Sequence, residues 1–213
     1  MLTVETVGMA LFGLLIVGAL ALAVRQGAQQ REQLSRYSTL HGWSVSRQGD
    51  ARLSALLEGA EPDQDWSPRN VMQVEGGPES VYLFRYTVGP KGRRSNSSGN
   101  ACLAEHMGRA HQAPVEIFTR TPGVEKLVGN RVKVGGKEFG DAFTVISMRP
   151  EEALATVNSE VERILLGHAA DPGWYLSVTM AGRHVLVSSY WAETEQDWDY
   201  LIGLARRLRT AVR

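Results

Sequence analysis

The sequence predicts an α+β fold: an N-terminal transmembrane helix and stalk, then a mostly antiparallel β-sheet packed by two main helices. Three observations carry that expectation. Val7 to Val24 is uncharged, apolar and polar residues alternate through the middle of the chain, and two amphipathic helix patterns follow Pro150. The expected organisation is an anchor over 1–24, a juxtamembrane stalk helix over 25–42 and a single globular domain over 43–213.

Coiled as a helix, Val7–Val24 reaches about 27 Å, close to a hydrocarbon core of about 30 Å. Val7, Phe12, Leu15 and Val24 belong to an apolar surface that runs around the whole helix, where a soluble helix of this length would show a polar face. The "ALA" at Ala21–Ala23 has the form of a signal-peptidase site, but residues 1–6 lack the basic start of a secretory signal, so an uncleaved anchor is expected. Glu5 is the sole charge on the amino side, whereas Arg25, Arg31 and Arg36 follow the span. Positive charge stays inside, which places the C-terminal domain in the cytoplasm as part of a single-pass protein of the inner (plasma) membrane. Ala19 and Ala23 form a small-xxx-small pair that permits close approach of another helix, including that of a second copy in a homo-oligomer.

Lys plus Arg equals Asp plus Glu at 23 each, so the overall charge argues against nucleic acid as a partner. The one cysteine, Cys102, excludes an intramolecular disulfide framework and fits a reducing compartment.

Helix-favouring residues predict a stalk helix to about His41, stopped by Gly42. A short strand at "WSVS" and a helix over "DARLSALLEG", capped by Asp50 and Gly59, precede the loop "AEPDQDWSPRN", where Trp66 is expected to be exposed. "VMQVEGGPESVYLFRYTVG" reads as a hairpin, and "NACLAEH", "PVEIFTR", "NRVKV" and "FTVISM" as further strands. One helix is expected from Pro150 to Gly167, with Leu154, Val157, Val161, Ile164 and Leu165 on its buried stripe. The turn "AGRH" joins two more strands, and Thr194 caps a last helix whose packed face is Trp198, Leu201, Ala205, Leu208 and Val212.

"GPKGRRSNSSGN" reads as a loop between strands, and its Lys91, Arg93 and Arg94 are candidates for contact with an anion or lipid headgroups. It lacks the Gly-Lys-Ser/Thr ending of a phosphate cradle. Cys102, Glu105, His106 and His111 are of metal-ligating types but match no ligand spacing, so neither metal nor cofactor is expected. Carboxylates recur at Glu138 with Asp141, Glu151 with Glu152, and Glu193 to Asp199; helix capping accounts for the last two groups. No nucleophile elbow, zinc-protease or dinucleotide motif is present, and no catalytic residue is assigned.

Gly42 with Trp43, Arg69 with Asn70, and the Phe139 and Phe143 pair entering "FTVISMRPEEALATVNSEVERILL" resemble the pattern of an uncharacterised bacterial family of single-span membrane-anchored proteins with an α+β cytoplasmic domain. The segment "HMGRAHQ" departs from that pattern. The resemblance implies architecture and no activity. The expected function is that of a membrane-tethered, non-enzymatic domain whose partners are the lipid bilayer and an envelope-associated protein. A small-molecule or lipid-binding module and an unrecognised hydrolase are the alternatives.

Overall fold

Period-two alternation through the middle of the chain and again after Leu176 gives strands, while the 3.6-residue patterns give the helices that cover them. The structure, a computed structural model, describes residues 25, 28–29, 32–49, 51–92, 97–121, 129–171 and 173–212. The expected span at 7–24, with Val7, Phe12, Leu15, Ala19, Ala23 and Val24, lies outside the described residues, as do Asp50, Arg93 and Arg94. Among the described residues no helix is long and apolar enough to cross a membrane.

The chain divides into two compact units, Met1–Gly42 and Trp43–Arg213. In the first, residues 32–41 form α1, and the chain turns at Gly42, whose φ of +68° suits a residue without Cβ. Tyr37 and His41, four apart and therefore on one helix face, have ring centroids 4.6 Å apart.

The second unit is a fully antiparallel eight-stranded sheet: β1 (Ser44–Gln48), β2 (Gln64–Glu75), β3 (Val81–Pro90), β4 (Ser97–Glu105), β5 (His111–Thr119), β6 (Phe143–Ser147), β7 (Ser177–Gly182) and β8 (His184–Ser189). Their order across the sheet is β1-β2-β3-β4-β8-β7-β5-β6. Helix α2 (Ala51–Ala60) buries Leu53 and Leu57 against Tyr82, Phe84, Leu103 and Leu186 on one face. Leu83, Cys102 and Val187 are successive cross-strand partners on the opposite face. That side is covered by α6 (Glu195–Ala211), which lies on β3, β4 and β8. α3 (Lys137–Ala142) packs on α5 (Ser159–Ala170), α5 on α6, and α4 (Pro150–Thr156) on β5 and β6.

The two hairpins, the "AGRH" turn and the Thr194 cap lie where the sequence predicts them. Asp197 completes a capping box with Thr194, and Trp198, Leu201, Ala205 and Leu208 are buried, while Val212, at the C-cap, is only half-buried. Other expectations need correction. β2 begins at Gln64, inside the expected loop, because Pro68 falls just past the end of β1, where β2 has no neighbour to miss its N–H. Trp66 is therefore a half-buried strand residue, not an exposed loop one. Gly59 lies within α2. "NRVKV" makes only an isolated bridge, Arg131 to Ile146. The helix expected from Pro150 to Gly167 is two helices, because Asn158 accepts from the backbone N–H groups of Glu160 and Val161 and so starts α5 afresh. Leu154, on the shorter α4, is 61% exposed instead of buried.

Candidate functional site

Tyr82, Leu103, Leu186, Thr179 and Glu116 are successive partners across β3, β4, β8, β7 and β5, so their side chains share one face of the sheet. α2 covers the apolar end of this row and stops at Ala60, which sets Glu61 over the polar end. There the Thr179 hydroxyl donates to Glu61 Oε1 at 2.7 Å. The next row is small in its centre, with Ser188 beside Ala101 and Ser177, and Phe84 at its far side.

Beyond it stands an aromatic group. Trp66 and Tyr86 have centroids 4.9 Å apart, Tyr86 and Tyr190 6.5 Å, and Tyr175 stacks on Tyr190 at 5.6 Å. Tyr86 reaches its buried position because its neighbour on β4 is Gly99. A Cβ there would lie 3.0 Å from the Tyr86 hydroxyl and 2.4 Å from the carbonyl oxygen of Ser189. The group grades from buried Tyr86 (2% exposed) to Tyr190 (43%) and its neighbour Trp191 (67%).

The electrostatics follow from this crowding. Burial pushes the Glu61 carboxyl above the usual carboxylate range, only partly offset by the Thr179 hydroxyl and by the Trp66 indole, which lies outside good hydrogen-bond geometry. Glu116, although the residue is exposed, is raised as well, first by desolvation and second by Glu61. Burial, aided by Tyr190, raises Tyr86 and Tyr175, so both phenols stay neutral around pH 7. Two acceptor-rich carboxyls beside a graded aromatic surface suit a ligand or partner that brings donor or cationic groups next to apolar ones.

The residues flagged in the sequence are distributed elsewhere. Lys91, in a loop whose sequence holds no acid, lies 3.2 Å from Glu58 on α2, a carboxylate that only the tertiary fold supplies. Both groups are largely exposed and the pair adds little stability. Cys102 is fully buried on the α6 side, and desolvation pushes its thiol up to about 12. Glu105 pairs with Arg52 at 2.6 Å. His106 and His111 do meet, edge to face at 5.9 Å, and His111 Nδ1 lies 3.1 Å from Thr156 Oγ1. Glu152, 3% exposed, pairs with Arg109 at 2.6 Å, and Asp141 lies 3.9 Å from Arg120. Among the described residues no cluster of three or more His, Cys, Asp or Glu could hold a metal ion.

Sequence reasoning missed Glu61 and Glu116, which lie far apart in the chain and meet because β5 pairs with β7 instead of with β4. The one local hint is Glu116 itself, a lone acid in the apolar run "PVEIFTR".

Comparison of the sequence with models of known families finds no match, and comparison with curated proteins finds none. Among solved structures, the fold is similar to that of the mycobacterial trehalose monomycolate transport factor A, at 12% identity and a TM-score of 0.59. The likeness covers 86% of this chain and 94% of that one.

Proposed function

We propose that the chain is a membrane-tethered, non-enzymatic domain that binds an envelope-associated protein through the aromatic and acidic face. In this reading the apolar run over 7–24 is the single span and α1 is part of the stalk, and the orientation, with the domain from Trp43 onward facing the cytoplasm at the inner membrane, is taken from the arginines that follow the run. The observation that carries the reading is the aromatic run from Trp66 through Tyr86 and Tyr175 to exposed Tyr190 and Trp191, bordered by Glu61 and Glu116. Tyr and Trp are enriched among the anchors of protein interfaces, because a rigid ring buries much area for little lost entropy. The two carboxyls match a partner with Lys or Arg beside apolar residues. The fold likeness to a trehalose monomycolate transport factor fits an accessory role in transport.

The test is affinity purification of the tagged full chain from detergent-solubilised membranes, beside a Tyr190→Ala, Trp191→Ala double variant. A stoichiometric protein partner that the double variant loses is the expected result. Recovery of no such partner, or equal recovery by both forms, overturns the proposal.

A further inference from the structure

A second feature lies at the other side of Trp66. The end of β1, the first half of β2 and α2 border an open cleft with a volume of about 410 Å³. Arg47 and Arg69 stand at it with the polar side chains of Gln48, Ser54 and Ser67, and Trp66 forms a wall. Gly49 and Pro68 close its base in tight contact: a Cβ on Gly49 would lie 2.7 Å from Pro68 Cγ. Among the described residues no acidic side chain lines it, and neither guanidinium has a carboxylate within ion-pairing distance.

That contrasts with five other arginines of the domain. Arg52, Arg109, Arg163, Arg206 and Arg209 each pair with a glutamate at 3.1 Å or less. The register of β1 on β2 sets Gln48 opposite Arg69, and Arg47, the residue before Gln48, reaches the same cleft at the end of β1. Two planar donor forks with hydroxyl and amide groups at the same cleft, and among the described residues no carboxylate lining it, are the chemistry that selects tetrahedral oxyanions over chloride.

We propose that this cleft is a binding site for a phosphate group, either a phospholipid headgroup or a free phosphate compound. The guanidiniums of Arg47 and Arg69 clamp the oxygens, and Trp66 forms a wall against which the rest of the ligand lies. The site is separate from the Tyr190 and Trp191 surface and stands or falls independently of it.

The experiment uses the full chain in phosphatidylcholine nanodiscs and follows the indole N–H resonance of Trp66, assigned with Trp66→Phe. Inorganic phosphate is titrated to about 10 mM, near the weak limit for a two-arginine site, with chloride at matched ionic strength as control. A second arm omits phosphate and replaces one lipid in three, roughly, by phosphatidylglycerol. A saturable shift with phosphate alone supports the site and assigns it to free phosphate compounds. A shift in the anionic nanodiscs without phosphate supports it and assigns it to headgroups. Arg47→Gln with Arg69→Gln weakens either response at least about tenfold, and the double Lys variant recovers part of it. These positions are exposed on strands near the sheet edge, so the variants keep the fold, as an unchanged Trp198 resonance will report. No Trp66 shift in either arm, or a shift that the double Gln variant retains, overturns the proposal.

Discussion

Gly99→Ala adds one methyl group at the centre of the aromatic face, and its cost can be worked from the contacts. The new Cβ would stand 2.4 Å from the Ser189 carbonyl oxygen and 3.0 Å from the Tyr86 hydroxyl. A carbon and a carbonyl oxygen settle no closer than about 3.3 Å, so β4 and β8 must separate by roughly 0.9 Å at this point. Both obstacles are poorly placed to yield: one is backbone, and the other belongs to a Tyr that is 2% exposed. Overpacking of this kind costs about 1–3 kcal/mol, and a weakened ladder bond beside the Asn100–Ser189 pair adds about 1 kcal/mol. The expected loss is about 2–4 kcal/mol, or roughly 4–15 °C in the unfolding midpoint of a domain this size. Thermal unfolding of the full chain in detergent, followed by near-ultraviolet circular dichroism, measures it. Gly203→Ala is the control: it makes the same chemical change within α6, where a Cβ meets nothing within 4 Å, and should raise stability by about 0.5–1 kcal/mol through helix propensity. If Gly99→Ala shifts the midpoint no more than Gly203→Ala does, the close approach of Tyr86 and Ser189 to β4 is wrong.

Asn158→Ala should cost about 2–3 kcal/mol in the same assay, because it removes the cap of α5 and the 2.9 Å bond from Nδ2 to the Ala211 carbonyl. Acid should destabilise the domain through its histidines. Burial lowers His111, His168 and His184, so their neutral forms stabilise the fold fully above about pH 6.5. That stability is lost as pH falls through their folded values, and His168→Gln should reduce the loss between pH 7.5 and 5.5. Glu61 and Glu116 have the opposite sign: folding strain is relieved as pH falls through their raised values, so Glu61→Gln should stabilise the protein at pH 7.5. Cys102, with no exposed surface and a thiol pushed up to about 12, should react with a maleimide only after denaturation.

Local rules made much of the fold legible. The 2.0-residue alternation announces β3, β7 and β8, and the capping box and apolar stripe announce α6, because each is decided by neighbours a few residues away. The misreadings come from competing local signals. Pro68 looks like a loop breaker until β1 is known to end beside it, and the Pro150 helix pattern hides a break because Asn158 is tolerable inside a helix and better as a cap. α3 is six residues long, too short for its periodicity to stand out.

The candidate site was barely legible. Its aromatic members were visible as scattered Trp and Tyr, but their meeting depends on strand order, with β8 inserted beside β4 and β7 beside β5. Lys91 shows the same limit: an uncompensated charge in the sequence acquires Glu58 only when α2 folds back beside β3.

The aromatic face is the surface proposed to meet a protein partner. A photocrosslinking amino acid placed at Trp191 in the full chain, in cells, tests this directly, with the equally exposed Leu154 on α4 as the comparison site. A discrete crosslinked product from Trp191 in the membrane fraction, absent from Leu154, is the predicted result. No product at Trp191, or the same products from both positions, would contradict it.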